Sequence, residues 1–552
     1  MRRCGAPAAL VLVVLGTLVM GIGRSGKQGR FDDAAVVLGD RLEPGSLYRL
    51  LADEGHRLFG DDYFADLYAP THRGRPTIPA RVVATVMLLQ SHEGLSDREA
   101  LDRLEFDLRW SAAAGLTVAP AGFHPTVLVG LRNRLRASDR PRRLLADVNV
   151  AAKAAGLLRS RVRVLDSTPM LDAVATQDTV TQLRAAIRGL LTVLDREGQS
   201  GLAAGVRAVL VRDDAYATVG KPACDWDDRA AKEKLVDALV VDALAALGAV
   251  EGEALGPVVG EKAELLALVA GQDVAQGEDG VFRIARKVAR DWVISTVDTQ
   301  ARHGHKSRAR TFDGYKSHVS LDPDSELIAE VSITAGNAAD RDVVDELIAT
   351  DTTGEVAEQV AAGQVGALTV MGDSAYADGK TLDRLTAAGH VVMAKVPPVR
   401  NTTGGFAKDA FTIDLSAGTV TCPAAQIVPI VPVAAGGGRA AFGKLCATCP
   451  LRAQCTKAKA GRVVGVHPHE LALQKARAAQ KDPAWQAVYR ATRPKVERKI
   501  SHLTRRPWGG RRARCRGSER NLTDLLTRAS VINLANLARK GLRFGPTGWA
   551  IA

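Results

Sequence analysis

Two aspartates and one glutamate stand where the sequence could bring carboxylates together. Asp166 follows the run RVRVL and Asp373 follows ALTVMG, so each comes directly after a short segment typical of a buried strand. Glu497 lies in a basic segment with helical spacing. A single Asp after a strand is most simply a turn or capping residue. Two in matching positions instead predict a site for Mg²⁺ or Mn²⁺, in which two ions about 3.5–4 Å apart would support phosphodiester cleavage.

The segment around Glu497 predicts a long helix, DPAWQAVYRATRPKVERKISHLTRR, despite Pro494. Tyr489, Arg493 and Glu497 recur every four residues and therefore share one face of that helix. We expect this face to complete the carboxylate site, with Arg493 holding phosphate or the carboxylates.

Positive charge is concentrated in the same region. The 552-residue chain has a formal net charge of +13, and from Arg490 to Arg520 there are twelve lysines or arginines but two glutamates. Interleaved aromatic residues favour contact with phosphates and unstacked bases, whereas a solvated tail is the simpler alternative. The residues expected to contact DNA here are Tyr489, Arg493, Arg498, Lys499, Arg505 and Arg506.

A predicted β-hairpin adds two further candidates. The segment TFDGYKSHVSLDPDSELIAEVSITAG reads as two strands joined by the turn DPDS. Lys316 and His318 alternate along the first strand, so both could face DNA from the catalytic sheet; an exposed hairpin face explains them nearly as well.

Other acidic residues compete for the same role. Four aspartates lie close to predicted helix starts, where capping accounts for them. Glu519 lies in the turn-like RGSERN and is the rival of Glu497, but a cap or a salt bridge explains it better. The four aspartates are Asp172, Asp178, Asp340 and Asp378.

Four of the seven cysteines are clustered in TCPAAQ and CATCPLRAQC. The C-x2-C pair with a third Cys close by and a fourth upstream predicts a structural Zn²⁺ site. His467 or His469 could replace the upstream Cys, and reduced free thiols are the alternative. The predicted ligands are Cys422, Cys446, Cys449 and Cys455.

Residues 47–150 predict short helices that suit a helix-turn-helix type of DNA-binding module. IPARVVATVMLLQSHEG stops at Gly94, Ser96 opens a capping box with Glu99, and TVLVGLRNRLRA carries Arg132 and Arg134, which we expect to contact DNA.

The N-terminus contradicts the rest of the chain. Two arginines precede AALVLVVLGTLVMGIG, which has the character of a signal-peptide core or a short anchor. It is short for a spanning helix, which needs about 20 apolar residues, and no cleavage site follows. We interpret residues 1–30 as a start site assigned too far upstream of a cytoplasmic, nucleoid-associated protein; a real leader is the alternative.

From about residue 45 to 545 the sequence resembles the DDE transposases of bacterial insertion sequences. The resemblance rests on VLDSTPMLDAVATQDTVTQLRAAIR, GHKSRARTFDGYKSHVSLDPDSELI, GDSAYADG, RPKVERKISHLTRR and GGRRARCRGSERN. It implies a ribonuclease H-like catalytic core with Asp166, Asp373 and Glu497 as the catalytic triad. Related transposases also carry a basic residue seven positions after the glutamate; Arg505 lies eight after Glu497 and departs from that pattern.

The expected fold is α/β, a ribonuclease H-like mixed sheet with helices. The expected regions are a doubtful leader, a helical DNA-binding domain, the first part of the core with a helical insert near 175–290, a Cys-rich insert and the last part of the core, at residues 1–30, 31–155, 160–400, 401–480 and 481–545.

The expected function is transposition: binding the element ends, cleaving them with two metal ions and joining the 3′-hydroxyls to target DNA. The expected partner is double-stranded DNA, bound by a homodimer, with neither a small-molecule substrate nor a membrane. The alternatives are a nuclease or resolvase that makes no strand transfer, and an inactive DNA-binding derivative.

Overall fold

The computed structural model describes residues 31–68, 77–214, 216–285, 289, 291–307, 309–353, 355–363, 366–399, 401, 404–505 and 509–552. The apolar stretch of residues 1–30 and the predicted DNA contact Arg506 lie outside the described residues. The described chain is a mixed α/β structure, which confirms the expected fold class.

The first part of the described chain is helical, as its apolar spacing predicts. Its helices are α1 (Ala34–Leu38), α2 (Leu47–Leu58), α3 (Ala80–Glu93), α4 (Asp97–Phe106), α5 (Leu108–Ala114), α6 (Thr126–Ala137) and α7 (Arg143–Ala154). Helix α3 ends at Gly94, which adopts a left-handed conformation with φ 74°, and the capping box of Ser96 and Glu99 forms as predicted.

The first strand and a set of helices come next. They are β1 (Val162–Leu171), α8 (Thr179–Arg196), α9 (Ser200–Val209), α10 (Arg229–Val250), α11 (Pro257–Gln272), β2 (Val274–Gln276) and β3 (Phe282–Ile284). Helices α8 to α11 bury their apolar faces against one another around residues such as Leu183, Leu239 and Leu266. The described part of residues 175–290 is therefore mostly helical, as predicted, while its boundaries as a domain remain a prediction.

The predicted hairpin and the second apolar strand follow. The elements are β4 (Arg302–Ser307), β5 (Arg310–Leu321), β6 (Ile328–Ala335), α12 (Val344–Thr352), α13 (Glu355–Ala361), β7 (Thr369–Gly372), α14 (Gly379–Ala387) and β8 (Val391–Ala394).

The central sheet has the strand order β4-β5-β1-β7-β8, and β6 also pairs with β5. Two strands pair with successive parts of one edge of the long strand β5. Strand β4 pairs with Arg310–Gly314, and β6 pairs with Tyr315–Leu321. On its other edge β5 runs antiparallel to β1, whereas β7 and β8 continue the sheet in parallel. Strand β1 is thus the inner strand at which pairing changes from antiparallel to parallel.

One sequence expectation about this sheet is wrong. Asp166 does not end its strand, because β1 continues to Leu171 and stays paired with β5 over that length. The polar residues after Asp166 obscured the second half of the strand, which is held by its partner rather than by an apolar pattern. Asp373 does follow directly on β7, as predicted.

The Cys-rich region contains small sheets and short helices. Its elements are β9 (Thr412–Asp414), β10 (Thr419–Thr421), β11 (Ile427–Pro429), β12 (Val431–Pro432), β13 (Gly438–Ala441), α15 (Arg452–Cys455), β14 (Val463–Val466) and α16 (Glu470–Ala479). Its own apolar cluster includes Phe411, Val420 and Phe442 together with Cys446 and Cys455.

The chain closes with the predicted basic helix and a second long helix. These elements are α17 (Pro483–Leu503), α18 (Ser518–Arg539), β15 (Leu542–Gly545) and β16 (Gly548–Ile551). Helix α17 contains Pro494 without ending there. Glu519 lies in the first turn of α18 rather than in a turn before it, because that helix begins at Ser518.

Helix α18 packs against both the N-terminal helices and the central sheet. Its buried residues, such as Ala529 and Leu534, belong to one apolar core with the N-terminal helices and with Val319 and Val331 of the sheet. Asn533 adds polar contacts between them, since its amide donates to the Asn149 side chain at 2.9 Å and to the Ile328 carbonyl at 2.8 Å. The N-terminal helices therefore pack directly on the face of the sheet that supports the site.

Within the described parts of the chain, no helix combines the length and the apolar composition needed to cross a membrane.

Candidate active site

The three predicted carboxylates line one cavity of about 600 Å³ beside the central sheet. Basic side chains from five separate segments share it with Asp166, Asp373 and Glu497. They are His305 and Lys306 of β4, Lys316 of β5, Arg341, Arg493 of α17 and Arg511. The cavity thus combines acidic groups that attract cations with basic groups that suit phosphate.

The sheet register sets the two aspartates side by side. Val164 of β1 is the parallel partner of Met371 of β7, and each aspartate lies two residues further along the chain. Strand β7 stops at Gly372, so Asp373 is released from pairing at the level where Asp166 is still held by β5. A Cβ on Gly372 would lie 3.0 Å from Tyr376, which explains why the residue before Asp373 has no side chain.

Helix α17 brings the other two predicted residues to the same place. The Tyr489 hydroxyl donates to the Gly372 carbonyl at 3.0 Å and so fastens the helix to the end of β7. Arg493, one turn later, lies with its Nη2 2.8 Å from Oδ1 of Asp166. Glu497, a further turn along the helix, also lines the cavity, and its side chain is exposed to solvent. The predicted helical face is therefore directed at the aspartates.

Arg493 is the main counter-charge of this cavity. Burial opposes its charge, but the bond to Asp166 and the nearness of Asp373 outweigh that effect and raise the pKa of Arg493. Its second terminal nitrogen, Nη1, is buried and has no hydrogen-bond partner among the described residues. A buried guanidinium nitrogen without a partner is costly, so it is suited to an anionic group that enters the cavity.

The surroundings of Asp373 disfavour its charged form, in contrast to those of Arg493. Burial raises its pKa, the backbone N–H of Ala375 lowers it through a hydrogen bond, and the negative charge of Asp166 raises it further. The N–H···Oδ1 distance to Ala375 is 2.9 Å. Two carboxylates held close together in this way favour a proton or a cation between them.

The sequence patterns missed the role of Asp340. Spacing near a helix start predicts a cap, but its carboxylate is buried in the cavity wall, where Lys316 donates to Oδ1 at 2.8 Å and Ser167 to Oδ2. Lys316 and Ser167 lie on the adjacent strands β5 and β1, so Asp340 bridges them from the loop after β6. Asp340 lies four residues before α12, which is why its spacing suggests a cap.

His318 is fully buried and not on an exposed face of the hairpin. Its Nε2 lies 2.9 Å from Oγ1 of Thr334, and its Nδ1 lies 3.4 Å from the Tyr376 hydroxyl. Burial is the main cause that lowers the pKa of His318 to about 4, with Asp340 and Lys316 acting in opposite directions. The imidazole is therefore neutral at pH 7 and supports Tyr376 under the site.

This burial predicts a pH dependence of stability. An unfolded His takes up its proton near pH 6.5, whereas folded His318 does so only near pH 4. Between these values the unfolded state binds more protons, so the free energy of unfolding falls as pH is lowered from about 6.5 to about 4.

Urea unfolding at pH 7 and at pH 5 checks this expectation. The loss of stability at pH 5 should be smaller in His318→Gln than in the wild type, and unchanged in the control His124→Gln, because His124 is exposed. Equal losses in all three proteins would show that His318 titrates normally.

Several predicted DNA contacts lie outside the cavity. Arg498 and Lys499 both pair with Glu326 in the β5–β6 turn, and the Lys499 side chain is 3% exposed. Arg505 lies beyond Leu503, where α17 ends. In the N-terminal helices, Arg132 pairs with Asp97 at 2.8 Å and Arg134 lies over the Tyr68 ring at 4.8 Å.

The competing acidic residues separate into two groups. Asp178 and Asp378 are helix caps, accepting from the backbone N–H of Thr181 and from Thr381 at 2.8 and 3.0 Å. Asp172 is instead buried beside Asp298, and burial followed by that neighbouring charge raises its pKa to about 6.

The four clustered cysteines surround one small enclosed space of about 20 Å³. Burial raises the pKa of Cys455, and the other three cysteines are close enough to raise it further. The Arg462 backbone N–H donates to Sγ of Cys446 at 3.4 Å. His469 is directed elsewhere, with its Nδ1 2.9 Å from Asp383. Nowhere in the described ranges are three or more His, Cys, Asp or Glu side chains arranged as they stand to hold a metal ion.

Comparison with known protein families gives two matches. Residues 421–538 match the model described as "Transposase DDE domain", a segment that includes the four clustered cysteines and Glu497. Residues 37–134 match the model described as "Transposase domain (DUF772)", which covers most of the N-terminal helices. Searches among curated proteins and among solved structures gave no match.

Proposed function

We propose that the chain, two segments of which match transposase family models, is a DDE transposase of a bacterial insertion sequence. It binds the ends of its own element, cleaves the phosphodiester bond there and joins the freed 3′-hydroxyl to target DNA. The observation that carries the proposal is one cavity lined by Asp166 of β1, by Asp373 directly after the adjacent parallel strand β7, and by Arg493 and Glu497 of one helix.

The sheet supports the expected ribonuclease H-like core. Its inner strand β1 carries the first carboxylate, the parallel strand β7 ends at the second, and the antiparallel strands β5 and β6 continue the sheet on the other side. The helical and Cys-rich insertions lie between these core elements along the chain.

The donor set suits a hard divalent cation. Carboxylate oxygens are the ligands that Mg²⁺ and Mn²⁺ prefer, and Asp166, Asp373 and Glu497 supply only such oxygens. Asp166 is paired with Arg493, so an ion there would share this carboxylate with the guanidinium or displace it. When bound, a pair of such ions would activate the attacking hydroxyl and stabilise the leaving oxygen.

The chain's own groups would position the DNA. Nη1 of Arg493 is available for a phosphate oxygen beside Asp166. Lys306 and Arg511 line the same cavity from two separate segments and add positive charge to its wall. Asp340 holds Lys316 through a 2.8 Å contact and so orients an ammonium group that is not free to swing into solvent. Fixed cations around a phosphodiester provide positioning and electrostatic stabilisation in one step.

A structural Zn²⁺ in the Cys-rich region is part of the proposal. The four thiols Cys422, Cys446, Cys449 and Cys455 line one space. Burial raises the pKa of Cys455, and the neighbouring thiols raise it further, so a bound cation would favour the thiolate there. The thiolates would close the site without an open position, as structural zinc sites do.

The substrate implied by this function is double-stranded DNA, at the element ends and at the target, rather than a small molecule. Because two ends must be joined in one event, we propose a homodimer on DNA, acting in the cytoplasm at the nucleoid. A nuclease or resolvase with the same site would release nicked DNA and make no joined product, so strand-transfer products separate the two functions.

A matched pair of glutamate variants tests the assignment of the third carboxylate. Glu497→Gln should remove cleavage of duplexes that carry the element ends and leave binding to them unchanged or slightly tighter, because a negative charge near phosphate is lost. Glu519→Gln should cleave normally, since Glu519 lies in the first turn of α18 and does not line the cavity.

Nicking, strand transfer and filter binding would be measured for both variants under identical conditions. If Glu519→Gln lost cleavage and Glu497→Gln kept it, the third carboxylate would lie downstream of α17 and the proposed site would be wrong.

A further inference from the structure

A second basic cavity lies between the N-terminal helices and the start of α18. Its volume is about 240 Å³, and four arginines line it together with Asp97 and Asp524. We call this space the arginine cleft; its arginines are Arg132, Arg136, Arg514 and Arg520.

Fewer carboxylates than arginines surround the arginine cleft: Asp97 and Asp524 line it, and Glu519 lies near Arg136. Asp97 is taken up by Arg132 at 2.8 Å, and Asp524 by the neighbouring Arg528 at 2.5 Å. Among the described residues, Arg136, Arg514 and Arg520 make no ion pair. Arg514 donates only to the Leu95 carbonyl, at 3.0 Å. Arg136 is half-buried and Arg514 and Arg520 are exposed, so solvent screens part of the repulsion among these charges, and an anion in the cavity would reduce it further.

Two further observations indicate such an anion. Burial, and then the charge of Arg520, lowers the pKa of Arg136, so these like charges are close enough to interact. Ser91 also lines the cleft; its side chain is 5% exposed, and its hydroxyl has no hydrogen-bond partner among the described residues. A buried hydroxyl and unbalanced guanidinium groups together suit the oxygens of a phosphate.

The arginine cleft is connected to the catalytic cavity by a short piece of main chain. Leu171, at the end of β1, donates its N–H to the Arg511 carbonyl and accepts from the Ala513 N–H, both at 2.7 Å. Arg511 lines the catalytic cavity and Arg514 the arginine cleft. Three residues span at most about 10 Å, which corresponds to about three base-pair steps of duplex DNA.

We propose that the arginine cleft binds a backbone phosphate of the same DNA duplex whose scissile bond lies in the catalytic cavity, with Arg136, Arg514 and Arg520 as its ligands. This inference rests on the proposed function. It assigns the DNA contact of the N-terminal helices to Arg136, because Arg132 is engaged by Asp97 and Arg134 lies over Tyr68. It also makes the cleft a joint site of two segments 378 or more residues apart in the chain.

The test is the salt dependence of duplex binding by the full-length protein. Each phosphate contact contributes about 0.9 to the slope of log affinity against log salt concentration. We expect Arg136→Gln and Arg520→Gln each to reduce the slope by about one and to weaken binding about tenfold at low salt. The control Arg229→Gln removes the same charge from a side chain 91% exposed in the helical insert and should leave the slope unchanged.

A second arm separates DNA from a free phosphorylated molecule. Titration calorimetry with inorganic phosphate should show only weak binding. Tight phosphate binding that Arg136→Gln abolishes, with an unchanged DNA slope, would overturn the proposal. The proposal would also be overturned if Arg136→Gln and Arg520→Gln, both shown by thermal unfolding to be folded, bound the duplex with the same salt dependence as Arg229→Gln.

The outcomes distinguish this inference from the function on which it rests. If the wild type cleaves the element ends and the arginine variants keep the full slope, the cleft alone is wrong. If the wild type binds DNA with the predicted arginine dependence but Asp373→Asn cleaves normally, the catalytic assignment fails while the phosphate site stands.

Discussion

Asp166→Asn and Asp373→Asn will each reduce cleavage of the element ends by about 10³-fold or more, the scale of losing one member of a catalytic unit. Either change removes a carboxylate from the pair that the β1–β7 register holds level. An amide retains the size of the side chain and much of its hydrogen bonding but cannot bind a divalent cation as strongly. DNA affinity will stay nearly the same, since basic groups carry it.

Single-turnover cleavage in Mg²⁺ and filter binding to the same duplex measure the two effects. Asp178→Asn is the matched control, because Asp178 caps α8 away from the cavity and Asn is an equally good cap. Normal cleavage by either Asp166→Asn or Asp373→Asn would refute the proposed site. Loss of DNA binding in step with cleavage would show that the substitution damaged the fold and not the chemistry.

Cys449→Ser will release about one zinc per chain and open residues 420–460 to proteolysis. A structural zinc contributes folding free energy of about 10–16 kcal/mol in small zinc-binding peptides, far more than the small apolar cluster around Phe411 and Val420 can replace. We expect the rest of the protein to stay folded, since the apolar core of the N-terminal helices, sheet and α18 does not include this region.

Elemental analysis and limited proteolysis check this result. Cys224→Ser is the control, because Cys224 packs against the helical insert, apart from the four clustered cysteines, and should change neither zinc content nor cleavage pattern. A wild-type protein that contains no zinc and whose clustered thiols all react with a thiol reagent would make this region an ordinary loop.

Much of the local structure could be predicted from the sequence because its causes are local. Apolar spacing defined α17 and its face of Tyr489, Arg493 and Glu497, since side chains four residues apart on a helix point the same way. Gly94 and the Ser96 capping box marked helix ends through hydrogen bonds within a few residues. Asp373 could be placed after a strand because Gly372 interrupts the apolar run.

Longer-range pairing decided what local pattern could not. Strand β1 continues past Asp166 only because β5 pairs with it, so its polar second half carries no strand signal of its own. Lys499 lies in a basic segment and is therefore predicted to contact DNA, but its side chain is buried against Glu326, 173 positions away. Arg132 likewise is engaged by Asp97 across the gap between two helices.

The sequence by itself determined which carboxylates and cations exist, which strands and helices carry them, and which side chains share a helix face. The tertiary structure alone decided which of these charges meet: Asp166 with Arg493, and Asp340 with Lys316 and Ser167. Periodicity fixes the direction of a side chain relative to its own element. The partner it reaches depends on strand register and helix packing, which depend on the summed burial of residues throughout the chain.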